Sequence, residues 1–265
     1  MTTANSKDLP ILEHSNIPTN EGQSPRTFEP SDARTLEHSN VKTLYLSFDL
    51  PLYTREIPQW RGAFIEMAGW QDDRFHNHTK ESDAWKYQYR YPLIQYRVRR
   101  KKAALFAVNE GVQALQQVLA TSDWSIHWKG EHKILQVEDL RMHQHRLKVD
   151  GAQQTYKLYK WLALNQENYR RWQQCKGLIE RIQLLEGILQ GHLLACLWGL
   201  GWQGNFRPKV RIQEMRKAEV VPLKGIPHMV FDIVYTTHVQ LPNHIALGKA
   251  VSHGFGWQVK ENGSK

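Results

Sequence analysis

From Thr43 onward the hydrophobic period of this chain switches between two and nearly four residues in a fixed order, and that order narrows the folds open to it more than any other feature. Leu44, Leu46, Phe48 and Leu50 alternate with Tyr45, Ser47 and Asp49, the pattern of a half-buried strand. Ile57 to Ala68 reads as a helix, with Pro58 in the first turn, where its missing N–H is not needed, and Gly69 at the close. Tyr91 to Val98 and Ala103 to Val108 read as paired strands joined by the basic turn Arg99, Arg100, Lys101 and Lys102. Gly111 to Ala120 reads as a short helix and Lys133 to Val137 as a fourth strand. Strand, helix, strand, strand, helix, strand is the ferredoxin-like split unit, with helices on one face of an antiparallel sheet.

A second unit starts near Thr155. Tyr156 to Leu164 reads as a strand, followed by helical sequence from Gln166. Leu178, Ile182, Leu185, Leu189, Leu193, Cys196 and Leu200 recur at three- and four-residue steps, which predicts one long helix burying this stripe in a core. Lys209 to Met215, Met229 to Val239 and His253 to Val259 read as further strands. No second helix is evident, so this half is a degenerate copy. The fold class is therefore α+β, with two tandem ferredoxin-like (RRM-like) domains over residues 41–150 and 151–260. Residues 1–40, rich in Ser, Thr, Asn, Pro and charge with no hydrophobic period, read as a flexible arm. Leu12 to Asn16 reappears as Leu36 to Asn40, an echo too short to define a structural repeat.

Thirty-five Lys and Arg against twenty-six Asp and Glu leave a net charge of +9, which favours a nucleic-acid or other polyanionic partner. Two cysteines, Cys175 and Cys196, give neither a disulfide framework nor a CxxC metal signature and point to a reducing, cytoplasmic setting. The longest uncharged stretch, Gly187 to Gln203, carries Gln190 and His192 and is short for a membrane span, so no membrane partner is expected.

Chemistry concentrates in two places. Gly248, Lys249, Ser252, Gly254 and Gly256 form a glycine-rich run near the C-terminus, where positive φ would let successive N–H groups form a phosphate nest while Lys249 and Ser252 add donors. The run lacks the Gly-Lys-Ser/Thr ending of a nucleotide-binding P-loop, and an ordinary hairpin turn is the alternative reading. Second, Arg74-Phe75-His76-Asn77-His78 sets two histidines two apart, after the first helix and before the strand pair. Zinc-like partners are not apparent near them, so no metal or other cofactor is expected, and surface histidines without a task stay open. His143-Gln144-His145 repeats the spacing in a polar stretch and is assigned no role.

Several segments in order carry a family likeness: Ile57-Pro58-Gln59-Trp60-Arg61-Gly62-Ala63, Phe75-His76-Asn77-His78, Tyr89 to Tyr96, Asn109-Glu110-Gly111-Val112, Tyr159 to Asn168, Leu241-Pro242, Leu247-Gly248-Lys249 and Ser252 to Gly256. Together they resemble the CRISPR precursor-RNA endoribonucleases of the Cas-six family, of the RAMP superfamily, and its b-type branch in particular, over Thr43 to Val259. The arm before Asn40 has no counterpart in that likeness, and Ala246 and His253 stand where other residues are common. The resemblance implies two ferredoxin-like domains and a metal-independent cut within each CRISPR repeat, by attack of a ribose 2′-hydroxyl on its own 3′-phosphate, leaving a 2′,3′-cyclic phosphate. It makes His76 and His78 the catalytic pair; Lys80 and Lys86 are candidates for the cation that offsets charge on the phosphorus, with solvated loop lysines as the alternative reading. It makes the glycine-rich run, with the basic turn Arg99 to Lys102 and strand residues Lys209 and Arg211, candidates for gripping precursor and mature guide RNA. The same fold and basic surface would also serve a non-cleaving RNA-binding subunit of a CRISPR effector complex. A protein of double-stranded DNA is a third reading, disfavoured because no helix-turn-helix or zinc-finger pattern is found.

Overall fold

A computed structural model describes residues 40–69, 74–75, 78–81, 84–87, 91–149, 151–202, 204 and 206–261. The first half is built on β1 (Asn40–Pro51), α1 (Ile57–Ala68), a small hairpin β2 (His78–Glu81) and β3 (Ala84–Tyr87), then β4 (Ile94–Arg99), β5 (Lys102–Val108), α2 (Glu110–Thr121), a second hairpin β6 (Ser125–Trp128) and β7 (Glu131–Ile134), and β8 (Val137–Arg146). Its main sheet runs β4-β5-β1-β8, antiparallel throughout, which is the ferredoxin-like order with a hairpin inserted into each crossover.

The expected strand at the start and the helix after it form as read, and the physical reason is visible in the core. Leu44, Leu46 and Phe48 project toward α1 and α2, where Trp60 and Phe64 meet Phe48 at ring separations of 5.4 and 6.1 Å. One correction concerns the other face of β1. The alternation predicts a half-buried strand, yet Val41 and Tyr45 are buried too, because the second half covers that side of the sheet. A second correction concerns the fourth strand. Lys133 and Ile134 belong to the β6–β7 hairpin, and the sheet is completed by β8, an exposed edge strand whose polar sequence carries no burial alternation.

The second half consists of β9 (Gln154–Trp161), α3 (Gln166–Gln174), α4 (Leu178–Gly199), β10 (Val210–Leu223), β11 (Ile226–Thr237) and β12 (Trp257–Lys260), in the sheet order β10-β11-β9-β12. This is the same topology with the second helix missing, as the sequence indicates. The long helix buries its stripe only from Leu185 onward, since Leu178 at its overhanging first turn is 61 % exposed. The β10–β11 hairpin runs further than its sequence suggests, up to a turn at Lys224 and Gly225, because its outer part extends past the core and gains no hydrophobic alternation. His253 lies in a one-turn 3₁₀ segment, Val251–His253, and the last strand begins only at Trp257. Among the described residues no helix is long and apolar enough to cross a membrane.

Candidate functional site

The two halves meet at β4 and the connection between β11 and β12, and one tyrosine joins the two motifs singled out in the sequence. Gly254 has φ +83°, and a Cβ there would stand 2.5 Å from Ile57 Cδ1 and 3.4 Å from the carbonyl oxygen of Tyr96. Tyr96 itself is buried, and its hydroxyl donates to the carbonyl of Phe75 at 3.4 Å. Phe75 is buried against Phe64, with ring centroids 5.9 Å apart. The chain is thus anchored in the first core one residue before His76, and the glycine-rich connection lies one tyrosine side chain away. Sequence spacing alone places these segments almost 180 positions apart.

His76 lies outside the described residues. His78 opens β2, where its backbone pairs with Tyr87. The relative placement of the two imidazoles and the side chains of Lys80 and Lys86 lies outside what is described. Arg74, just ahead of the pair, donates to the carbonyl of Glu110 at the start of α2.

The glycine-rich run takes the positive φ values its composition predicts, +97° at Gly248, +83° at Gly254 and +68° at Gly256. Part of the backbone of this run is already engaged. The N–H groups of Lys249, His253, Gly254 and Gly256 donate to the carbonyls of Leu162, Ala250, Val251 and Lys160, so these positions do not offer a row of free backbone donors. The missing side chains make room for protein: a Cβ at Gly248 would sit 2.8 Å from the Trp161 ring, and one at Gly256 would sit 1.9 Å from the Leu247 carbonyl oxygen. Side chains of the run add donors. Lys249 is exposed and its ammonium is lowered below the usual range by desolvation, while Ser252 is half-buried.

Beside this connection a cleft of about 410 Å³ opens between the halves, lined by Arg55, Lys160, Lys224 and His253 among others. Burial, then the charges of Arg61 and Lys224, push the His253 imidazole down to about 4, and its Nδ1 is buried without a hydrogen-bond partner. Arg61 lies over the Tyr96 ring at 5.9 Å. None of these five basic residues stands in a run of charge, so only the fold gathers them; for Arg61 the family motif at α1 was the one available signal.

The basic turn divides. Arg100 and Lys101 are exposed, with φ of +49° and +61°, the two-residue hairpin geometry that asparagine and glycine adopt more easily. Lys102 pairs with Glu138. Arg99 turns inward, stacks over the Tyr45 ring at 5.4 Å and meets His244 Nε2 at 3.1 Å. Lys209 and Arg211 line a separate cleft with Glu186 and His238, and Arg211 is 3.4 Å from the Glu186 carboxylate.

Two family models match the chain in succession, the Cas6b N-terminal domain over residues 39–146 and the Cas6b C-terminal domain over residues 148–261. Among solved structures, one described as a crystal structure of Cas6b aligns with a TM-score of 0.72 and 21 % identity, over 84 % of this chain and 100 % of that one. Another, described as the CRISPR RNA processing endoribonuclease Cas6b, aligns with a TM-score of 0.64 and 20 % identity over the same shares. An uncharacterized protein of Methanocaldococcus jannaschii is 31 % identical over 102 residues, which span 38 % of this chain and 67 % of that protein.

Proposed function

The chain belongs to the Cas6b family, and on that premise we propose that it is an endoribonuclease that cuts CRISPR precursor RNA within its repeats to give mature guide RNA. The observation that carries the reading is the match of both family domains, in order, to a chain in which Tyr96 lies between Phe75, one residue before His76, and the glycine-rich connection.

The chemistry asked of the protein is modest in parts and demanding in geometry. A ribose 2′-hydroxyl loses its proton as its oxygen bonds to the adjacent phosphorus; the bond from phosphorus to the 5′-oxygen breaks, and that oxygen takes a proton. A 2′,3′-cyclic phosphate remains. No metal ion is needed for this balance. Aligning nucleophile and leaving group replaces a bimolecular encounter, and positioned imidazoles can move both protons near neutral pH. His76 and His78 take these roles, and a nearby cation offsets the charge growing on the phosphoryl oxygens. The glycine-rich connection, through Lys249 and Ser252, and the exposed Arg100 and Lys101 hold the RNA on either side. Residues 41–150 and 151–260 act as two domains of one RNA-binding body in the cytoplasm, from which the guide can pass into an effector complex.

The test is incubation of the protein with its host's repeat RNA in excess EDTA, beside the His76→Ala, His78→Ala double variant, with analysis of product ends. Cutting by the wild type alone, leaving a 2′,3′-cyclic phosphate, is the expected result. Tight binding without any product points instead to a non-cleaving guide-binding subunit, and cleavage that EDTA abolishes points to a metal nuclease.

A further inference from the structure

The second His-x-His of the chain has a place in the fold that its sequence does not suggest. On β8, Arg141 pairs across with Tyr45 and His143 with Thr43, so this row shares the face of the first sheet turned away from α1 and α2. There Arg99, Arg141, His143, His145, Tyr45 and His244 surround a cavity of about 280 Å³ between the two halves. That is just below the range of drug-sized ligand sites, which suits a single nucleotide unit rather than a duplex.

The side chains that line this cavity include two arginines and three histidines and no carboxylate. Arg97, 5 % exposed, lies behind it with its guanidinium carbon 5.0 Å from the Phe106 ring. Its Nη1 donates to the His244 carbonyl at 2.8 Å and its Nη2 to Gln95 Oε1 at 2.6 Å, while Nε is buried with no partner. Both acceptors are neutral. Among the described residues neither Arg97 nor Arg99 forms an ion pair with a carboxylate; Arg141 does, with Asp139 at 2.7 Å. A buried cation without a counter-charge is costly. The field is felt at His244, whose imidazole is held down to about 4 by burial and by the charges of Arg97, Arg99 and Arg141.

We propose that this pocket takes a phosphodiester of the single-stranded part of the RNA, whose anion supplies Arg99, which lines it, with the counter-charge that no carboxylate among the described residues gives. The proposal rests on the RNA-processing reading above. Arg99 and Arg141 close on the phosphate from two strands, and the exposed imidazole of His143 offers a face on which the neighbouring base can stack. The site lies across the sheet from α1 and the Phe75 anchor, so it fixes the path of the strand away from the bond that is cut.

The experiment measures the affinity of repeat RNA over a series of salt concentrations for three forms of the full chain. Arg99→Ala with Arg141→Ala should weaken binding about tenfold and make the salt slope shallower by about 0.7, the value for one phosphate contact on a single strand. Arg170→Ala with Arg171→Ala removes the same charge from the exposed face of α3 and should change both quantities much less. His143→Glu, at an exposed position that leaves the core untouched, should weaken binding comparably to the first pair and guards against misfolding of that variant. Equal effects of the two arginine pairs, together with unchanged affinity in His143→Glu, overturn the pocket while leaving the nuclease reading intact. A wild-type protein that neither binds nor cuts repeat RNA overturns both.

Discussion

The two halves share one topology and fill one step of it differently. Between its third and fourth sheet strands the first half places α2, whose Val112, Leu115 and Val118 close the core. The second half spans the same step with residues 238–256, a connection of short turns with three glycines at positive φ and a 3₁₀ turn. A helix carries a sleeve of side chains that holds its axis about 5 Å from the surface it packs on. Glycines let the connection bring its backbone against Ile57 of the first half at Gly254, and against Trp161 and its own Leu247 at Gly248 and Gly256. One copy of the fold thus retains a self-contained core, and the other gives up a helix to make a seam.

The sharpest way to separate the halves is by chemistry. His76→Ala with His78→Ala should lower the single-turnover cleavage rate by about 10³-fold or more while RNA affinity and the unfolding midpoint stay as in the wild type. A loss of affinity equal to the loss of rate would mean that the first half only binds.

Acid should distinguish them next. His192, His244 and His253 all stand in the second half, and burial first, then neighbouring Lys249, the arginines around His244, or Arg61 and Lys224, push each imidazole down to about 4. Such a histidine takes its proton more readily in the unfolded chain, at about 6.5. Stability is therefore full above that value and falls as pH drops toward 4, by up to several kcal/mol for three groups. Urea unfolding at pH 7 and pH 5 checks this, and replacing the three histidines with Gln should flatten the difference. A stability unchanged between the two pH values would show that the seam does not exclude water.

Gly256→Ala tests the close approach itself. Its Cβ would meet a backbone carbonyl at 1.9 Å with φ at +68°, neither of which a rotamer change relieves. A loss of about 3 kcal/mol is expected in denaturant melts, against well under 1 kcal/mol for Gln117→Ala on the exposed face of α2. The smallest effect belongs to the β4–β5 turn. Arg100→Asn with Lys101→Gly suits the left-handed geometry and should raise stability by about 1 kcal/mol while weakening RNA binding a few-fold. Unchanged affinity would remove those two residues from the RNA path.

What could be read from the chain depended on whether a residue's neighbours in sequence were also its neighbours in the core. β1, α1, α2 and α4 were legible because their apolar positions repeat with the period of the element that buries them. β8 and the outer part of β10 were missed because an edge strand and a protruding hairpin bury little and leave no period to find. His143 and His145 lie on that edge strand, and nothing in a polar run announces that they will line a cavity with Arg99 and His244.

By itself the sequence determined the ferredoxin-like order of elements, the missing helix of the second copy, the positive φ of Gly248, Gly254 and Gly256, and the family likeness of the histidine motif. These follow from local sterics and from periodicity, which act within a few residues. Only the tertiary structure decided what the glycines approach, that β1 is buried on both faces, that Tyr96 lies between Phe75 and the glycine-rich connection, and that Arg99 lines a pocket with no carboxylate among its lining residues. Those are outcomes of how two sheets pack, and packing couples residues far apart in the chain through contacts that no local pattern encodes.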